Sequence, residues 1–143
     1  MWVVYTYAKE KESRRFEAVE KFVKEINETR TEAMTSLYSI IELYQIAVDN
    51  FDTLSEASEY GKEALVNVLK TKVVLLPMLN RIEKLINARQ FNALRDSTDL
   101  THAISAKIWG CDVIVAYDDH FSAITDVISY KTPEEALEDL KIY

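Results

Sequence analysis

The sequence runs to 143 residues and holds one cysteine, two histidines, two glycines and two prolines. Each scarcity removes a class of function. A lone Cys111 cannot form an intrachain disulfide, and in its apolar setting it reads as a small core residue. With His102 and His120 as the only histidines, no Cys/His zinc motif can be assembled. Gly61 and Gly110 stand far apart, so no glycine-rich loop is available to cradle a phosphate. A secretory leader pattern is not evident, because the apolar stretch Met1 to Tyr7 gives way at once to the charged Lys9 to Glu12. The longest apolar run, Val73 to Leu79, is far below the ~20 residues of a membrane helix. A cytoplasmic location with no membrane partner is the expectation. Positive charge is also short. The net charge of −7 argues against a broad basic surface for nucleic acid. It leaves room for a carboxylate site, where a bound metal supplies the local field that net charge hides.

What remains is a chain with 48% hydrophobic and 29% charged residues, the balance of a folded domain large enough to bury a core. Trp2 to Tyr7 is β-branched and aromatic and reads as the tail of a strand or a strand-to-helix junction. Phe16, Val19, Phe22, Val23 and Ile26 then recur at helical spacing. Thr31 to Thr35 reads as a short strand, and Ser36 as the N-cap of a second helix carrying Ile40, Ile41, Tyr44 and Ala47. Thr53 and Glu56 have the spacing of a capping box and open a third helix to about Lys70. Val73 to Leu76 reads as a buried strand stopped by Pro77, followed by a helix from Met78 to about Arg89 and a loop from Gln90 to Ser97.

A helix from Thr98 to Trp109 ends at Gly110, a favoured residue just past a helix end. Asp112 to Ala116 and Val127 to Tyr130 are the last strand candidates, with a turn or short helix through Phe121 and Ile124 between them. Thr132-Pro133-Glu134-Glu135 opens a final helix that ends near Leu140. Strands alternating with helices predict an α/β fold, a single domain over residues 1–143, with a parallel sheet sandwiched by helices.

Two acids occupy places where such a sheet collects ligands. Asp99 sits at the opening of the helix before Gly110, and Asp118 follows the strand Asp112 to Ala116. Open α/β sheets bind ligands beyond the carboxyl ends of their strands. Each acid also has an ordinary reading by itself. Asp99 is favoured at a helix start by the helix dipole, Asp118 suits a turn, and Glu42 suits a helix surface. His102 reads as a helix-packing or supporting residue, and His120 as exposed.

The order of these residues resembles the PIN-domain nucleases, in particular the VapC-like toxin branch. Thr35-Ser36-Leu37-Tyr38-Ser39-Ile40-Ile41-Glu42 looks like that family's second element, which makes Glu42 its acid. Asp99-Leu100-Thr101-His102-Ala103 is similar to the third, and Asp118 followed by Phe121 to the fourth. His120 stands where the family commonly has a further Asp, and Ala116 where it commonly has Thr or Ser. Thr132-Pro133-Glu134-Glu135 is similar to the usual ending. The similarity covers almost the whole chain.

The resemblance implies a PIN-like fold and a metal-dependent endoribonuclease, the toxin of a toxin–antitoxin pair. Asp99, Asp118 and Glu42 would hold Mg²⁺ or Mn²⁺ and carry catalysis, with Asp96 as an outer ligand. Hard oxygen ligands and a divalent ion suit phosphodiester hydrolysis, which needs a nucleophilic water and relief of negative charge. The implied partners are RNA as substrate, an antitoxin protein in the acidic groove, and a second copy in a homodimer packed through the apolar early helices. One element departs. Val3-Val4-Tyr5-Thr6-Tyr7 is similar to the part of strand one that follows the family's first Asp, so that Asp would fall before Met1. This gives an N-terminally shortened strand one and weak or absent activity as the expectation. A non-catalytic PIN-fold binding or assembly protein is the rival reading. A phospho-acceptor receiver-like domain ranks last, because the early acidic pair it needs is missing.

Overall fold

The computed structural model describes residues 1–29 and 31–141. Helices α1 (Trp2–Tyr7) and α2 (Ser13–Glu28) come first, then β1 (Met34–Ser36), α3 (Leu37–Asn50), α4 (Leu54–Leu69) and β2 (Val74–Leu76). There follow α5 (Arg81–Asn87), a 3₁₀ turn (Ala88–Phe91), α6 (Ser97–Ile108), β3 (Val113–Val115), a second 3₁₀ turn (Asp119–Ile124), β4 (Ser129–Lys131) and α7 (Pro133–Lys141). The fold is a mixture of helix and short parallel strands in which helix predominates. No helix among the described residues is long and apolar enough to cross a membrane.

Local chemistry explains most helix starts. Ser36 accepts the Ser39 amide at the head of α3, and Thr53 accepts the Glu56 amide at the head of α4. Asn80 and Glu83 form a reciprocal capping box on α5. Thr132 and Glu135 exchange the same pair of bonds at α7. Gly110 follows α6 with φ +70°, the left-handed conformation that glycine enters without steric cost.

Two expectations need correction. Trp2 to Tyr7 is helix, not the tail of a strand, so these residues hold no shortened strand one. Local propensity gives way to packing there: α1 buries Trp2 and Val4, and the Trp2 Nε1–H donates to Thr35 Oγ1 at 3.0 Å. The strands also do not form one sheet. β1 pairs with β2 in parallel, Met34 opposite Val74 and Ser36 opposite Leu76. β3 pairs with β4 in parallel, Val113 opposite Ser129 and Val115 opposite Lys131. Each pair stands alone.

Three apolar groups fill the interior. Trp2, Val19, Val23, Leu43 and Val68 join α1, α2, α3 and α4. Phe91, Ala103, Ile104, Phe121 and Ile124 join α6 to the two 3₁₀ turns. Phe22 and Ile26 pack on Ala136 and Leu137, tying α2 to α7. The helix expected over Met78 to Arg89 is shorter, and its apolar stripe turns outward. Leu79 is buried, whereas Ile82, Leu85 and Ile86 are exposed.

Helices α3 and α4 pack tightly at Gly61, where an added Cβ would lie 2.8 Å from the Tyr44 ring and 3.4 Å from the Ala47 Cβ. Gly61→Val places a branched side chain in that contact. We expect it to destabilise the fold by about 1–3 kcal/mol, the usual cost of overpacking. A lowered urea midpoint at unchanged m-value would register this.

Candidate metal centre

Helix α6 sets the site. Asp96 is its N-cap, and one carboxylate oxygen accepts the amides of Thr98 at 2.7 Å and Asp99 at 3.4 Å. These backbone bonds hold the Asp96 carboxyl below its ordinary range. Capping occupies Asp96 at the helix end and aims the first turn, so its contribution is to position Asp99. Asp99 lies one turn into that end and is buried, with 9% of its surface exposed.

Asp118 arrives from the other side, just past β3. It caps the following 3₁₀ turn, its Oδ1 accepting the His120 amide at 3.0 Å. That turn swings the His120 ring back between the two acids. His120 Nδ1 lies 3.0 Å from Asp99 Oδ2 and 3.2 Å from Asp118 Oδ1. Asp99, Asp118 and His120 thereby offer three ligand atoms that all lie within 4.8 Å of one another, a group that could hold a metal ion.

The electrostatics agree with a site that wants a cation. Burial pushes the Asp99 carboxyl above its ordinary range, with its His120 bond opposing and the Asp118 and Asp96 charges adding. The hydrogen bond that His120 donates to Asp99 raises its pKa above 6.5, and the Asp118 charge raises it further. The two carboxylates thus favour the protonated form of His120, which lies between them.

Glu42 is not in this group. It sits on α3, where His102 Nε2 lies 3.1 Å from Oε2 and 3.2 Å from Oε1. The other ring nitrogen, Nδ1, lies 2.9 Å from Ser36 Oγ. With Ser36 already accepting the Ser39 amide, its hydroxyl proton is free to donate to Nδ1, leaving Nε2–H to donate to Glu42. His102 is one turn along α6 from Asp99, so the helix that carries the buried acid also orients Glu42. Glu42, Asp99 and Asp118 border one cavity of about 870 Å³. The sequence picks out Asp99 and Asp118, which the fold brings together. It places Glu42 on the same cavity but not within the three-residue group. It misses His120 as a member. The available cue is position, two residues after Asp118 and in the place where the PIN pattern commonly has an acid.

The pH dependence of stability follows in sign. A raised His120 pKa contributes stability that is full below about pH 6.5 and is lost as pH climbs through the folded-state value. The raised Asp99 pKa acts in the same direction, costing stability as pH rises from 3.8 through its own folded-state value. We therefore expect the urea midpoint to fall above pH 6.5, and the fall to flatten in His120→Ala. A ring-nitrogen NMR titration should show His120 above its ordinary pKa, returning toward it in Asp99→Asn and on addition of Mg²⁺, which competes with the Nδ1 proton.

Comparison of the chain with protein-family models, with curated proteins and with solved structures finds no match. The chemistry of the site accordingly rests on its own residues.

Proposed function

We propose that this chain is a metal-dependent endoribonuclease of PIN type, the toxin of a toxin–antitoxin pair, working in the cytoplasm. One observation carries the reading. Asp99 and Asp118, singled out by the PIN resemblance, line one cavity and stand with His120 as a compact group of possible ligands. The proposal extends to the architecture, in which the two parallel strand pairs and their helices belong to one PIN-type α/β sandwich.

The donor set fits a divalent ion of the hard or borderline kind. Two carboxylates suit Mg²⁺ or Mn²⁺, and the imidazole nitrogen tips the balance toward Mn²⁺. When bound, such an ion supplies an activated water and offsets charge gathering on the phosphodiester. The residues do the rest. Asp99 is held in place by burial and by the capped first turn of α6. His120 would offer its Nδ1 to such an ion in the deprotonated form. Glu42, oriented by His102 Nε2, presents a carboxylate oxygen to the same cavity. Basic residues stand close by. Arg15 packs its guanidinium over the Tyr117 ring, 4.6 Å from the centroid and next in sequence to Asp118, where it can meet a backbone phosphate of single-stranded RNA.

Two partners belong to the proposal. A basic antitoxin segment would lie in the groove and pair with Asp99, Asp118 and Glu42. A second copy of the chain would cover exposed apolar side chains of the helices, Leu54 and Leu69 of α4 among them. A non-catalytic PIN-fold binding module is the second reading. It is favoured by Glu42 standing outside the ligand group, whose third member is a histidine.

Incubation of the purified chain with a mixed single-stranded RNA pool in Mn²⁺ separates the two. The nuclease reading expects cleavage that EDTA abolishes and that Asp99→Asn reduces by about 100-fold, as for loss of one electrostatic contact in an active site. Cleavage no greater than that of Asp99→Asn rejects catalysis and leaves the binding module.

A further inference from the structure

A second cavity, of about 350 Å³, lies beside the first. Glu42 lines both. The first turn of α6 also serves both. Asp99 lines the large cavity, and Ser97 and Thr98, just before it in sequence, line the small one. A molecule seated in the small cavity is therefore a neighbour of the acidic group at the candidate metal centre.

Three helices build the walls. Tyr38 and Ile41 come from α3, Lys84 from α5, and Thr101 joins Ser97 and Thr98 from α6. The Tyr38 ring is held on two sides. Its Oη accepts the Leu79 amide at 3.0 Å, and the His102 ring stands perpendicular to it with centroids 6.4 Å apart. A ring already fixed by the protein loses little freedom when a ligand stacks on it. Ile41 is 50% exposed and sets an apolar side chain beside that ring.

Lys84 brings positive charge. Its Nζ lies 5.5 Å from the Tyr38 ring centroid. Among the described residues it has no ion-pair partner, although the chain has a net charge of −7. Lysine carries a compact charge on a flexible stem. It can leave the ring for an anion and uncover the ring face as it goes. The α6 wall is polar. Thr101 Oγ1 donates to the Thr98 carbonyl at 2.7 Å, which leaves its lone pairs to accept. The Ser97 hydroxyl adds a donor.

A fixed aromatic ring with an apolar neighbour, an ammonium without a partner and a wall of hydroxyls together select a ligand of three parts. It needs a flat ring, an anion and a polar edge. A bare anion leaves Tyr38 and Ile41 unused. An apolar molecule leaves Lys84 and the hydroxyls without partners. A nucleotide uses them all. The volume is at the low end of the ~300–1,000 Å³ range of small-ligand clefts, which suits a single nucleotide.

We propose that this cavity is a subsite for one nucleotide of a single-stranded RNA, the one adjoining the linkage presented to Asp99 and Asp118. Its base stacks on Tyr38 beside Ile41, its phosphate pairs with Lys84, and the α6 hydroxyls meet its polar edge. Stacking tolerates any base, so the subsite holds the strand without reading its sequence. The polymer's identity rests on the nuclease reading, whereas occupancy of the cavity by a nucleotide does not.

The test is an NMR titration of the chain in EDTA with uridine 5′-monophosphate, adenosine 5′-monophosphate and inorganic phosphate. Both nucleotides should move the signals of Tyr38, Ile41, Thr98 and Thr101. Both should bind at least about fivefold more tightly than phosphate, the effect of one stacked base. Lys84 is exposed, so Lys84→Gln keeps the fold. It should weaken both nucleotides by about threefold or more, while Lys62→Gln, at an exposed lysine of α4, leaves them unchanged. With single-stranded RNA in EDTA, Lys84→Gln should also lower the slope of log affinity against log salt by about 0.7, one phosphate contact. Phosphate binding as tightly as the nucleotides would overturn the proposal, because no base would then be held. So would nucleotide shifts that spare Tyr38 and Thr101, or an effect of Lys84→Gln no larger than that of Lys62→Gln. Cleavage of RNA by a chain whose subsite takes no nucleotide would overturn this inference alone. Nucleotide binding at Tyr38 and Lys84 in a chain that cleaves nothing would keep the subsite and overturn the nuclease reading.

Discussion

The first turn of α6 is the constraint on which the rest of this structure depends. Asp96 caps it, Asp99 projects from it into buried space, and His102 follows one turn later. Through Asp99 and His120 it reaches the end of β3. Through His102 it reaches the end of β1 at Ser36 and the α3 carboxylate at Glu42. One helix end thereby registers two strand ends that share no ladder. An N-cap is worth about 0.5–2 kcal/mol to helix stability. Here it also sets where three acids stand relative to one another.

The site that results balances charge internally. A buried carboxyl beside a second one favours its neutral form, and the hydrogen bond with the His120 ring between them opposes that shift. The same three side chains form the group that could hold a metal ion. The His102 arrangement has a different character. Its hydrogen bonds are satisfied within the protein by Ser36 and Glu42, so it orients a carboxylate and adds no unpaired charge. Two histidines in one small region thus do separate jobs, one exchangeable and one architectural.

Much of this was legible in the sequence where local chemistry decides. The caps at Ser36 and Thr53, the glycine stop at Gly110 and the Thr132–Glu135 box lie where their residue types predict. Asp99 and Asp118 were legible as helix-start and strand-end acids respectively, and the fold brings them together. Trp2 to Tyr7 was misread because β-branched and aromatic content is a weak guide when a helix can bury Trp2 and Val4 against its neighbours. The division into two sheets was not legible at all. Strand candidates are local patterns, whereas pairing depends on what else fills the space between them. His120 was passed over because its role comes from a 3₁₀ turn that folds it back on Asp99, a contact 21 residues away in sequence.

The separation of the two strand pairs has a mechanical side. In a continuous sheet, backbone ladders at spacings of about 4.8 Å hold the carboxyl ends rigidly. Here Glu42 follows one pair and Asp118 the other, and side chains of α6 bridge the interval between them. Side-chain hydrogen bonds are softer than a ladder and respond to protonation. The relative placement of Glu42 and Asp118 is therefore held by hydrogen bonds of His102 and Asp99, both on α6, and not by a shared ladder.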